Sequence, residues 1–172
     1  MSLSTILRLL FPALLFALGI SGVWVLARLA TRRGRRRDGR REGLYLLFVF
    51  YLAAVVATTA LRIFPPSLSA APPLVPMRTT FPHFHAGAGP FVYHTLGNLV
   101  WFVPLGVLLP RLWPRFCLGS VAACGFGLSL LVEACQYLLG TGMPDVDDLL
   151  LNTLGAALGY AAFCLCRRWA KR

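Results

Sequence analysis

Acidic residues are scarce in this sequence, with six aspartates and glutamates among 172 residues against 17 lysines and arginines. Charge of either sign is thin at 13%, while 58% of the residues are hydrophobic, so the chain cannot hide its apolar surface in one small soluble core. The five cysteines (Cys117, Cys124, Cys135, Cys164 and Cys166) include no Cys-x-x-Cys pair and fall inside apolar runs, which gives no external disulfide framework. There is no His-Glu-x-x-His, no phosphate-cradling glycine loop and no Ser or Cys nucleophile paired with a histidine in sequence-readable form. No repeat with a period of 20 to 50 residues stands out, and solenoid architectures lapse with it. The net charge of +11 comes without aromatic interleaving or a recognisable nucleic-acid module. The expected partner of the basic residues is therefore anionic lipid and not nucleic acid.

What the sequence does contain is long apolar runs. A ~30 Å hydrocarbon core needs about 20 apolar residues, and five segments approach or meet this: 9–29, 44–63, 93–112, 116–139 and 148–166. The fold expected is an all-α, polytopic membrane helix bundle of five transmembrane helices. The first run is too long for a signal peptide, lacks a clear cleavage pattern and is followed at once by arginines, so it is expected to be retained. Seven basic residues lie in Arg32 to Arg41, four in the tail (Arg167, Arg168, Lys171, Arg172), and Arg111 and Arg115 flank the turn before the fourth span. With an odd number of spans these segments share one side, and the positive-inside bias makes it cytoplasmic, with the N-terminus out and the C-terminus in. Residues 167–172 then form a basic cytoplasmic tail.

The connection 65–90 carries seven of the 12 prolines, with His83 and His85 in a possible extended segment. Its apolar pieces favour a cap over the outer end of the bundle rather than a free linker. His83, His85 and His94 with the nearby aspartates make a zinc site conceivable, but their spacing matches no metal motif, and neither metal nor cofactor is expected.

The last apolar run opens on acids. In "PDVDDLLLNTLGAALGY" (Pro144 to Tyr160), read as a helix, Asp145, Asp148, Asn152, Gly155 and Gly159 form one stripe, with Asp145 at the helix start as a cap. Gly155-x-x-x-Gly159 invites close approach by a neighbour. The five-residue connection "GTGMP" makes the last two spans an antiparallel hairpin, so the neighbour expected is the fourth span. Counting from the middle of that turn places Glu133 level with Asn152 and Gln136 near Asp148. Ser129, Glu133 and Gln136 share a face of the fourth span, and Asn98 lies at similar depth on the third, one turn below His94. Polar groups inside a membrane are expensive, so this convergence reads as an outward-facing polar pocket. The bland alternative is an interhelical cluster that only holds the bundle together, with Glu133 paired to Arg62.

These residues resemble the successive motifs of the VanZ-like membrane proteins. "NLVWFVPLGVLL" (Asn98 to Leu109), "SLLVEACQYLLGTG" (Ser129 to Gly142) and "DVDDLLLNTLGAALGY" (Asp145 to Tyr160) follow the family's order and spacing, and "LVPMRTT" resembles its proline-containing outer segment. The resemblance implies a core domain over 44–166, preceded by an additional helix and arginine-rich loop over 1–43. It carries the family's polar positions onto Asn98, Glu133, Gln136, Asp145, Asp148 and Asn152. Many members have Gly-Arg where this chain has Gly142-Met143; if that arginine contacts an anion or balances the aspartates, this chain uses Arg78 as the charge partner or manages without one. The family takes its name from a member associated with teicoplanin resistance, which implies a bacterial cytoplasmic-membrane protein working near lipid-linked wall precursors.

Two functions compete. The first is a non-enzymatic pocket that binds membrane lipid, a lipid-linked envelope precursor or a membrane partner protein and affects glycopeptide sensitivity. The second is an intramembrane hydrolase or transferase acting on a lipid-linked phosphate or glycan, with Glu133 or Asp145 as general base. A proton-coupled transporter subunit is disfavoured by the lack of a two-halved repeat.

Overall fold

Leucines spaced four apart on a helix line one face, and on the last helix Leu150, Leu154 and Leu158 do so while about half exposed. The opposite face buries Asn152, Gly155, Ala156 and Gly159. Polar and small residues inside with leucine outside is the arrangement suited to a hydrocarbon solvent, where small residues let backbones approach. The computed structural model describes residues 3–30, 38–60, 76, 80–85, 87–140 and 144–172. Every regular element among them is helical: α1 (Leu3–Ala30), α2 (Gly39–Val55) continued by a π turn (Val56–Ala60), α3 (Thr80–His85), α4 (Ala88–Leu112), α5 (Leu118–Leu139) and α6 (Val146–Trp169).

Among the described residues, four helical stretches are long and apolar enough to cross a bilayer: Gly39–Thr58, His94–Leu112, Leu118–Leu139 and Val146–Trp169. The first expected span lies within the 28-residue α1, whose described side chains give a shorter apolar stretch, Leu14–Arg28. His85 falls in the helical turn α3, not in an extended segment, and the backbone of His83 belongs to the same turn.

The chain divides into two compact units, Met1–Phe64 and Pro65–Arg172. In the first, α1 and α2 pack together. Arg28 near the end of α1 lies 3.9 Å from Glu42 in the first turn of α2, and its guanidinium stacks 5.0 Å from Trp24 and 5.7 Å from Tyr45. End meets beginning, so the pair is antiparallel. Asp38 caps α2 by accepting the Arg40 N–H at 3.0 Å.

In the second unit α6 is central, packed mainly against α4 and next against α5, and α3 folds onto α4. The seam between α4 and α6 is built on glycine. A Cβ added at Gly155 would stand 2.1 Å from the Leu99 carbonyl oxygen, one at Gly159 2.1 Å from that of Val103, and one at Gly106 2.0 Å from that of Ala156. Leu99 pairs with Gly155 and Val103 with Gly159, four residues on along both chains, so α4 and α6 run parallel. This corrects the expectation drawn from the hairpin: the glycines of α6 admit α4, not α5. α5 runs antiparallel to α6 and meets it through Gly125, where a Cβ would stand 2.7 Å from that of Ala156. α5 ends at Gly140, whose φ of +63° is the left-handed conformation that glycine adopts without Cβ strain. The result is an up-down-up bundle with the starts of α4 and α6 and the end of α5 gathered at one end.

Candidate functional site

Four of the six acids in the chain, Glu133, Asp145, Asp147 and Asp148, meet at that end. The basic residues Arg111, Arg115, Arg167, Arg168, Lys171 and Arg172 lie at the other. Asp145 caps α6 with its side chain, accepting the Asp147 N–H at 2.9 Å, as its type and position require. Its own backbone N–H donates to Glu133 Oε2 at 3.0 Å, which ties the start of α6 to the last turns of α5. Glu133, Asp145 and Gln136 are all buried. A buried carboxylate is retained where hydrogen bonds compensate its desolvation, and backbone donors supply part of that compensation here.

Asp147 is the deepest of the four at 2% exposure, and it accepts the Thr80 N–H at 2.9 Å. The start of α3 is thus tied to the acidic end; most of the connection expected to form a cap lies outside the described residues. His85 in the same turn is exposed. Asp148, one residue on, turns to α4, where it accepts the side-chain amide of Asn98. That amide also lies 3.3 Å from His94 Nδ1, one turn earlier on α4. His94 Nδ1 stands 3.7 Å from Asp148 Oδ1. His94, Asp145 and Asp148 each offer one ligand-type atom, all within 4.8 Å of one another.

Deeper in the bundle Asn152 donates to Ser129 Oγ on α5 at 2.9 Å, both residues buried. The Asn152 amide oxygen is buried without a donor. The geometry therefore pairs Ser129 with Asn152 and Glu133 with Asp145, so that Asn152 meets α5 four residues, about one helical turn, from the Glu133 level expected. The turn count assumed even rise through the connection. α5 ends at Leu139 and α6 begins at Val146, symmetric about the turn, so the offset lies in how the two helices are set along their axes, with Gly125 against Ala156 and Ser129 against Asn152.

Five of the six expected positions thus fall into hydrogen-bonded sets. Asn98 joins Asp148 across α4 and α6, Glu133 joins Asp145 across α5 and α6, and Asn152 meets Ser129. Gln136 is buried on the same face of α5 as Glu133 and Ser129. Arg62, Arg78 and the side chain of His83 lie outside the described residues. Asp147 and Thr80 escaped the sequence reading because the stripe through Asp145 and Asp148 skips Asp147. Its place in the first turn beside a capping Asp was the available signal, since acids there face the positive helix end.

Chemically, the site is a set of ordered acceptors with an imidazole at its rim, suited to hydroxyl, amide or ammonium donors and to cations. Comparison with curated proteins and with solved structures gives no match. The family model described as VanZ/LLP1 matches residues 44–167, well over half of the chain, and spans the whole constellation from Asn98 to Asn152. The chain is a multi-pass membrane protein and belongs to the VanZ/LLP1 family.

Proposed function

We propose that the acidic end faces outward from a bacterial cytoplasmic membrane and takes the polar head of a lipid-linked envelope precursor, altering glycopeptide sensitivity. The observation that supports this reading is the gathering of Asn98, Glu133, Asp145 and Asp148 by hydrogen bonds from three helices at one end of the bundle. A cluster serving only as glue has no need to concentrate four of six acids there. The N-out, C-in orientation rests on the basic residues at the opposite end. The rival, a hydrolase or transferase using Glu133 or Asp145 as base, shares the site and differs in predicting turnover of the bound lipid.

Native mass spectrometry of the protein released from nanodiscs tests the reading. The wild type should carry an envelope lipid, and Glu133→Gln with Asp145→Asn should abolish it at normal membrane abundance, because each amide still accepts the hydrogen bond of the acid it replaces. Leu131→Ala, at a side chain 57% exposed on the outside of α5, should keep the lipid. Full lipid occupancy in the double variant would sink the pocket, and conversion of the lipid in time would favour the enzyme.

A further inference from the structure

The imidazole of His94 and the carboxylates of Asp145 and Asp148 come from α4, from the cap of α6 and from its first turn, and their ligand-type atoms converge within 4.8 Å. His94 lies among polar neighbours on two helices. Asn98 and Asp148 both flank its Nδ1, at 3.3 Å and 3.7 Å, and a neutral imidazole offers one of its two ring nitrogens as a lone-pair donor. One turn along the same face of α6, Asn152 is 5% exposed and its amide oxygen has no donor. An imidazole and two carboxylates whose ligand-type atoms converge in this way suit a positive centre.

We propose that His94, Asp145 and Asp148 hold a divalent transition-metal cation. One imidazole with two carboxylates suits the Zn2+ and Mn2+ class, whereas Mg2+ and Ca2+ favour oxygen alone. Three protein ligands leave coordination positions open. The surrounding layer is built from this chain: Asn98 contacts both His94 and Asp148, Glu133 holds the Asp145 backbone, and Thr80 fixes Asp147 between the two ligands. Resting on the lipid-head reading, the open positions take a phosphate oxygen of that head, since a bound cation reverses the local sign of an acid-rich site.

Wild-type protein in nanodiscs, stripped with EDTA and dialysed, is titrated with Zn2+ by calorimetry with no lipid ligand added. Saturable uptake of one equivalent is expected, weakened about tenfold or more in His94→Ala and in Asp148→Asn. X-ray absorption at the zinc edge of the wild type reads the ligands without depending on how the variants fold. One imidazole nitrogen with oxygen in every other position is expected. A sulfur-containing shell would assign the ion to the cysteines and overturn the site, as would the absence of saturable uptake or unchanged affinity in both variants. Native mass spectra before and after EDTA separate the two readings. Zinc bound with no lipid in either spectrum sinks the lipid-head reading and leaves the cation site standing. Lipid fully retained after metal removal overturns the phosphate link.

Discussion

Gly155 on α6 lies so close to Leu99 on α4 that a Cβ would stand 2.1 Å from the Leu99 carbonyl oxygen. The obstructing atom is backbone and cannot swing aside. Gly155→Ala should therefore push the two helices apart, lowering thermal stability in detergent by about 1–3 kcal/mol, the usual cost of overpacking. Gly127→Ala is the control, because nothing lies within 4 Å of its added carbon. Equal stability of the two variants would show that α4 and α6 do not meet at this seam.

The pair Ser129 and Asn152 can be weighed by a double-mutant cycle. Ser129→Ala leaves the buried Asn152 amide without its acceptor and should cost about 1–2 kcal/mol, the upper range for interhelical hydrogen bonds in membranes. Ser129→Ala combined with Asn152→Leu removes both polar groups and should recover part of the loss. Additive losses would mean that the two side chains are not coupled.

Asp147 is predicted to fasten the connection before α4. Asp147→Ala leaves the buried Thr80 N–H without this acceptor, at about 1–3 kcal/mol, whereas Asp147→Asn keeps a carbonyl there and should lose less. Limited proteolysis near residues 80–85 should accelerate in the alanine variant first. Indifference of that segment to both substitutions would refute the tie.

Cys117, exposed in the turn before α5, offers a pH test. The backbone N–H of Ser120, and next its hydroxyl, hydrogen-bond the thiolate and hold the Cys117 pKa below the ordinary thiol value. A lowered pKa raises the thiolate fraction at lower pH, so alkylation should set in earlier than for an ordinary thiol, and Ser120→Ala should move its midpoint upward. In a variant keeping only this cysteine, an impermeant maleimide should label permeabilised cells and spare intact ones, as a C-terminus-in orientation requires. Labelling of intact cells would reverse the orientation.

How much of the site was legible depends on the range of the pairing that makes it. Asp145 as a helix cap and the antiparallel α5–α6 hairpin follow from local rules, a capping residue type and a connection too short for any other course. The partner of each polar residue does not. Glu133 meets the Asp145 backbone, and Asn152 meets Ser129, because the axial setting of α6 against α5 differs by about a turn from a count made through the connection. Asp147 lay off the stripe that singled out its neighbours, facing a segment 67 residues earlier in the chain.

By itself the sequence determined that this is a helical membrane protein, that acids gather at one end of its last three long helices and basic residues at the other, and which polar side chains to watch. Those properties reside in composition and helical periodicity, which a chain carries before it folds. Only the tertiary structure decided which helix the glycines of α6 admit, which acceptor each amide finds, and that His94, Asp145 and Asp148 share one space. The physical reason is that α4 and α6 are separated by the whole of α5. Their register is set by backbone contact at Leu99 and Val103, where the absence of a side chain on the glycines allows an approach that no local pattern specifies.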